Sequence, residues 1–153
     1  MTIHMAASLD GFIARRDGTV DWLETADRFE DGDDLDPKDA EAFLATIDCY
    51  VLTSRELPKS RDTVEFYSGD LRDLVEGRLK PAFRSIWFVG GGVVSGECLR
   101  LGLADEVRYS ILPVLIGDGV SFFEGLDRDV QLHLMEVKGY KSGVVALRHE
   151  VRK

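Results

Sequence analysis

The stretch Ile86–Val107, IWFVGGGVVSGECLRLGLADEV, constrains what this chain can fold into more than any other. Its opening, Ile86-Trp87-Phe88-Val89, is an apolar run of strand length, the pattern of a central strand buried on both faces in a sheet covered by helices. Gly90, Gly91 and Gly92 follow at once, and Val94, Cys98 and Leu101 then recur at helical spacing as far as Gly102, a suitable C′ residue. Strand, glycine turn and helix in succession put backbone N–H groups where a phosphate can be received. Glycine also serves such a turn for geometry alone. The spacing G-x-G-x-x-S departs from the dinucleotide fingerprint G-x-G-x-x-G and does not open the first βαβ unit, so the stretch by itself leaves both readings open.

A chain of 153 residues, 44% of them hydrophobic, is long enough for a real core, and 1–153 reads as a single domain without a linker. A net charge of −9 argues against nucleic acid or an anionic membrane as the main partner, since both require a basic face. No apolar run is long enough to cross a bilayer and no signal-peptide pattern opens the chain, so the expected location is the cytoplasm. Cys49 and Cys98 lie in apolar contexts without C-x-x-C spacing and read as buried free thiols. His4, His133 and His149 are scattered over strand-like segments, and no metal site is expected.

In chain order, Ile3–Ser8 reads as a first strand ending in Leu9-Asp10-Gly11, with Phe12-Ile13-Ala14 continuing after a kink. Ala6 and Ala7 either leave room for a ligand or fill a crowded core. Asp17-Gly18 is a turn, Trp22 follows on a short segment, and the acidic run Arg28–Asp36 reads as a solvated loop. Asp36-Pro37 starts a helix whose stripe is Ala40, Phe43, Leu44 and Ile47. Tyr50-Val51-Leu52 forms a short strand ending in Thr53-Ser54-Arg55. Hydroxyls and an arginine there can hold the phosphate that distinguishes NADP from NAD, although a solvated loop arginine is the simpler reading of Arg55. Val64–Tyr67 is a strand, and Leu71, Leu74, Val75 and Leu79 stripe a helix that Pro81 closes off. Val107–Ile111 alternates until Pro113, and Gln131–Lys138 with Val144–Val151 reads as a hairpin around Lys141-Ser142-Gly143. The class is α/β with an antiparallel finish.

Five motifs in this order, AASLDGFIA (6–14), DGTVDWL (17–23), WFVGGG (87–92), LPVLIGDG (112–119) and KSGVV (141–145), resemble the bacterial dihydrofolate-reductase-like family. That family includes the reductase domain of the riboflavin-biosynthesis deaminase–reductase. The resemblance covers nearly the whole chain. It implies a three-layer α/β/α mixed sheet and an NADPH-dependent reductase of a small pteridine- or aminouracil-like molecule, often a homodimer. It also implies site positions: Ala6 and Ala7 beside the nicotinamide, Thr53, Ser54 and Arg55 near the adenosine phosphate, and Gly90, Gly91 and Gly92 with Val93 and Val94 under the pyrophosphate. Asp10 matches the aspartate of the family's Ser-Leu-Asp-Gly motif and faces the expected substrate cleft, or else caps the turn at Gly11. Trp22 lines the same cleft or belongs to the core. No residue is singled out as the proton donor.

One departure bears on activity. The family's Met-Gly-Arg/Lys-x-Thr-Tyr/Phe-Glu motif, with the helix and strand after it, has no counterpart here. Asp48-Cys49-Tyr50 resembles the start of one family strand and Val51–Pro58 the end of the next. A parallel crossover needs on the order of a dozen residues, and none stands between Tyr50 and Val51. A strand–helix unit is therefore expected to be missing after residue 50, together with its share of phosphate contacts. Two functions follow from this: an NADPH-dependent reductase, or a catalytically silent binding or scaffold protein that retains the family core.

Overall fold

The computed structural model describes residues 1–25, 27–34, 48–58 and 62–153. The helix expected from Asp36, with its stripe through Ile47, lies outside the described residues. The strands are β1 (Thr2–Ser8), β2 (Phe12–Ala14), β3 (Cys49–Leu52), β4 (Val64–Tyr67), β5 (Trp87–Phe88), β6 (Glu106–Leu112), β7 (Val120–Ser121), β8 (Leu132–Gly139) and β9 (Val145–Val151). The chain divides into two compact units, one of Met1–Leu35 with Phe83–Lys153 and one of Asp36–Ala82.

The first unit is built on a mixed sheet of order β5-β1-β6-β9-β8. β1 pairs in parallel with β5 and β6, and β9 pairs antiparallel with β6 and β8. The two-residue period of β1 explains its place: Ile3, Met5 and Ala7 share one face and are all buried, as is Val107 on β6. The crossover from β5 to β6 is a helix, Gly92–Arg100, here α2, which follows a first helix in the other unit. Its Ser95, Cys98 and Leu99, with Leu103 and Ala104 beyond it, are buried as well. Gly102 ends α2 with φ +67. Its N–H donates to the Leu99 carbonyl at 3.0 Å while that of Leu103 donates to Cys98 at 2.9 Å, a Schellman closure.

The run Ile86–Val89 departs from expectation. β5 is an edge strand of its sheet rather than a central one, and only Trp87 and Phe88 pair. Trp87 is 40% exposed and Val89 64%. The physical reason is that among the described residues no strand pairs with the far edge of β5, so a run composed for two neighbours has one. Trp87 covers part of its ring by stacking on His4, with centroids 5.1 Å apart.

In the second unit, β3 and β4 form a parallel pair in register Cys49↔Val64 to Leu52↔Tyr67. A single strand thus occupies the segment where the family resemblance calls for two, and no helix lies among the described residues 48–58. The first helix, α1, consists of a π-helical Asp73–Leu79 continued by an α-helical turn, Lys80–Ala82. The Asp70 carboxylate opens it, accepting from the N–H of Arg72 at 2.8 Å and of Asp73 at 3.1 Å. Leu71, Leu74, Val75 and Leu79 are buried along one side, the expected stripe. Pro81 does not close the helix but sits inside its last turn. The wider winding, in which the Lys80 N–H reaches back to the Val75 carbonyl, accommodates a residue without an N–H.

The two cysteines are free; Cys98 is fully buried, and Cys49 is only half-buried, less than its apolar context suggested. Burial, and after it the Glu97 charge, pushes the Cys98 thiol up to about 12. Only the thiolate reacts. A thiol-disulfide reagent at pH 8 should therefore modify one thiol of the native protein, removable by Cys49→Ser, and reach Cys98 only in denaturant. Two native thiols reacting at equal rates would contradict this burial.

Candidate functional site

The site is built at the carboxyl end of β1. Ser8 is fully buried, and its hydroxyl accepts the Phe12 N–H at 3.1 Å, closing the Leu9–Gly11 kink. The Gly11 N–H donates to the Ser8 carbonyl at 2.9 Å, and Gly11 takes φ +88, a conformation glycine adopts at little cost. The loop after β6 attaches to this turn: the Leu9 N–H donates to the Val114 carbonyl at 2.8 Å, and the Asp10 carboxylate accepts from Gly117 N–H at 2.7 Å and Ile116 N–H at 3.3 Å. The Ser8 hydroxyl, followed by those two backbone donors, holds the Asp10 carboxyl below its usual range. Asp10 thus caps the loop 116–117, across the chain from the Gly11 turn.

Tyr109 stands beside it. Its hydroxyl oxygen lies 3.8 Å from where a side chain on Gly11 would begin, and its ring packs on Phe122 with centroids 4.6 Å apart. Burial, and then the Asp10 charge, raises its hydroxyl above the usual tyrosine value, so it keeps its proton at neutral pH.

The three glycines after β5 divide their work. Gly90 (φ +128) and Gly91 (φ +35) are in conformations that side chains rarely adopt, and a Cβ on either would project into open space. Gly92 faces inward: a Cβ there would run into the Ser121 carbonyl, and one on Gly96 into that of Glu124. The Ser95 hydroxyl, buried, donates to the Gly90 carbonyl at 3.0 Å and fixes the turn from within. The segment 120–124 joins the two halves of the site, since Phe122 N–H donates to the Gly11 carbonyl at 3.1 Å and Glu124 N–H to the Gly92 carbonyl at 3.0 Å.

The structure therefore brings Asp10, Gly90, Gly91 and Gly92 around one segment. Val93 is 62% exposed at the start of α2 and Val94 is half-buried beside it. Ala6 and Ala7 point to opposite faces of β1; Ala7 is fully buried and Ala6 half-buried next to Ser110. Trp22 is 3% exposed, and its indole N–H has no hydrogen-bond acceptor among the described residues. Thr53, Ser54 and Arg55 belong to the other unit. There Thr53 N–H donates to the Tyr67 carbonyl at 3.0 Å, and Arg55 N–H donates to the Thr53 hydroxyl at 3.0 Å, leaving the Arg55 side chain exposed. Ser8, Ser95, Tyr109 and Ser121 were not singled out from the sequence. Tyr109 had a signal, since the alternation of β6 places it on the same face as Val107. No group of three or more His, Cys, Asp or Glu among the described residues could hold a metal ion, and no described helix is long and apolar enough to cross a membrane.

The profile of the RibD C-terminal domain matches residues 41–146. The chain belongs to the RibD C-terminal domain family. It is 26% identical to the uncharacterized protein YwjB of Bacillus subtilis (strain 168), covering 93% of this chain and 92% of that one. It is 25% identical to YyaP of the same organism, covering 95% and 91%. These alignments run over 167 and 173 positions, more than the 153 residues here, so both relatives carry residues without a counterpart in this chain. Among solved structures, a Shewanella sp. PV-4 protein provisionally assigned to riboflavin biosynthesis superposes with TM-score 0.78 at 21% identity, covering 99% of this chain and 98% of that one. The deaminase/5-amino-6-(5-phosphoribosylamino)uracil reductase of Thermotoga maritima superposes with TM-score 0.63 at 17% identity, covering 99% of this chain and 56% of that one. The fold of this RibD C-terminal domain is the dihydrofolate-reductase-like α/β fold with a mixed sheet.

Two consequences can be measured. Asp10→Asn should lower the melting temperature at pH 7. A carboxylate held below its unfolded pKa contributes stability that is present above the unfolded value and lost as pH falls through the folded one, so the difference from wild type should shrink on acidification below about pH 4. A deficit independent of pH would assign Asp10 another role. Gly96→Ala should cost roughly 1–3 kcal/mol in denaturant unfolding, because the segment at Glu124 must move off α2; an unchanged midpoint would contradict that close approach.

Proposed function

We propose that this chain is an NADPH-dependent reductase that transfers hydride to a small heterocycle of the pteridine or aminouracil type. The observation that carries the reading is the Gly90-Gly91 turn. It offers open backbone where a Cβ would stand, at the carboxyl end of a parallel strand and the start of a nine-residue helix. A dinucleotide phosphate fits such a cradle, with the first N–H groups of α2, at Val93 and Val94, pointing their partial positive charge toward it. Family membership supports the same chemistry, and among the structural neighbours the Thermotoga maritima protein is named for an aminouracil reductase activity.

NADPH supplies the hydride when bound; the chain binds, orients and supplies polar groups. Ala6, small and half-buried on β1, leaves a flat approach for a ring. Asp10 and Tyr109 are the polar groups offered to a heterocycle, with Tyr109 holding its proton. Following the resemblance, Arg55 with Thr53 and Ser54 takes the adenosine phosphate. A second reading, a catalytically silent binding or scaffold protein, is favoured by the absent Met-Gly-Arg/Lys segment and by a β5 that ends its sheet.

An NADPH titration of the purified chain separates the two: saturation supports the reductase, and no binding at millimolar cofactor supports the scaffold. Gly91→Val is a poor probe because the turn's positive φ would strain any side chain. Val93→Asp is better, since an acidic residue in the first turn favours the helix but repels a phosphate. It should weaken NADPH at least about tenfold without lowering the melting temperature. Arg55→Ala should weaken NADPH by ~1.5–3 kcal/mol and leave NADH nearly unchanged. Equal losses for both cofactors would remove Arg55 from the phosphate site.

A further inference from the structure

The hydroxyl of Tyr109 is a donor that the fold does not use. Tyr109 stands on β6 in register with Met5 on β1 and Leu147 on β9, so its strand neighbours on that face are apolar. Its ring packs on Phe122, whose N–H donates to the Gly11 carbonyl at 3.1 Å, and the ring is thereby held at the turn that follows β1. No described residue forms a hydrogen bond with the Tyr109 hydroxyl, and the side chain is half-buried. A tyrosine hydroxyl in that situation ordinarily finds a partner, so an unused one points to a ligand. The space beside it is open. A side chain on Gly11 would begin 3.8 Å from the Tyr109 oxygen, and outside Gly11's own neighbours in the chain no other described atom lies within 4 Å of that point. With φ +88, Gly11 is in a conformation that L side chains rarely adopt, which keeps the position clear.

We propose that Tyr109 is the proton donor of the reductase, its Oη–H serving the position beside Gly11 and protonating a ring nitrogen of the heterocycle. The assignment rests on the reductase reading and adds the acid that reading lacks. In the step, the hydride supplied by NADPH forms a C–H bond at the carbon of a C=N bond, the π pair moves to nitrogen, and nitrogen takes the Tyr109 proton. The products are NADP+, a reduced C–N bond and a tyrosinate, which water reprotonates. A nitrogen carrying that pair is far more basic than a tyrosinate, so the transfer runs downhill even from a hydroxyl held above the usual tyrosine value. Neighbouring groups serve less well. The Asp10 carboxyl lies below its usual range and has no proton to give near neutrality. The single proton of the Ser8 hydroxyl is shared between Asp10 and the Phe12 carbonyl, 3.3 Å away. Asp10 is also the charge that acts on Tyr109, and by disfavouring the tyrosinate it returns the donor to its protonated form after each turnover.

Tyr109→Phe tests this, since it deletes the hydroxyl and keeps the ring on Phe122. The probe is dihydrobiopterin, a small pteridine with a C=N bond. Without cofactor, the variant should bind the probe roughly three- to tenfold more weakly than the wild type, the loss of one hydrogen bond. Ultraviolet titration of the free protein should show one tyrosine, absent from Tyr109→Phe, that ionises above the ordinary value of about 10 and returns toward it in Asp10→Asn. With NADPH, kcat should fall about 100-fold or more in Tyr109→Phe while NADPH affinity is kept. The wild-type rate should stay level from about pH 6 to 9, whereas a carboxyl donor would lose activity over that range. A wild type and a Tyr109→Phe that reduce the probe at the same rate overturn the assignment and leave the reductase reading standing. A wild type that leaves NADPH unoxidised in the presence of the probe overturns both. Should Tyr109→Phe lose its cooperative unfolding transition, the wild-type pH profile decides: a rate that falls as pH rises from about 6 to 9 overturns the proposal.

Discussion

Two backbone hydrogen bonds, from Phe122 N–H to the Gly11 carbonyl and from Glu124 N–H to the Gly92 carbonyl, hold the ends of β1 and β5 in one place. They form only because 120–124 lies directly against α2, and it lies there because Gly92 and Gly96 present no side chain. Any larger residue would drive the segment off the helix and separate the Asp10 turn from the glycine turn. The site's geometry therefore depends on an i, i+4 glycine pair whose task is packing, while the neighbouring Gly90 and Gly91 stay open to solvent. One run of glycines serves both the structural and the ligand-binding interpretation, at different positions.

The same economy appears at Asp10. A carboxylate at the end of a parallel strand invites a catalytic assignment, but its oxygens receive the N–H groups of Ile116 and Gly117. Charge-assisted bonds to backbone donors keep it ionised and orient it. Such a group holds the loop and also presents negative charge to whatever enters. Tyr109, protonated and close to Asp10, sets a donor near that acceptor.

Between Asp48 and Pro58 the chain carries one strand where the family resemblance calls for two. β5, composed as a buried strand, has one partner, and β3 pairs with β4 in a sheet of its own. The alignments to the Bacillus subtilis relatives are also longer than this chain.

Periodicity in the sequence was enough to place β1, β3, β4, β6, the β8–β9 hairpin and the helices α1 and α2, because alternation and the 3.6-residue repeat are local consequences of burying one face. Gly102 as a helix stop was legible for the same reason. Neighbours decided the rest. Whether Ile86–Val89 is central or at an edge depends on strands supplied from elsewhere in the chain. Whether Ala6 or Ala7 meets a ligand depends on which face of β1 is buried, and Ala7 lies on the buried one. Gly92 and Gly96 acquire their role from a segment some thirty residues away, and Tyr109 acquires its environment from Asp10 across the sheet. Local pattern is written in adjacent residues, whereas partner strands, close approaches and shifted pKa values arise only when distant residues share a space, and that is decided by the tertiary structure.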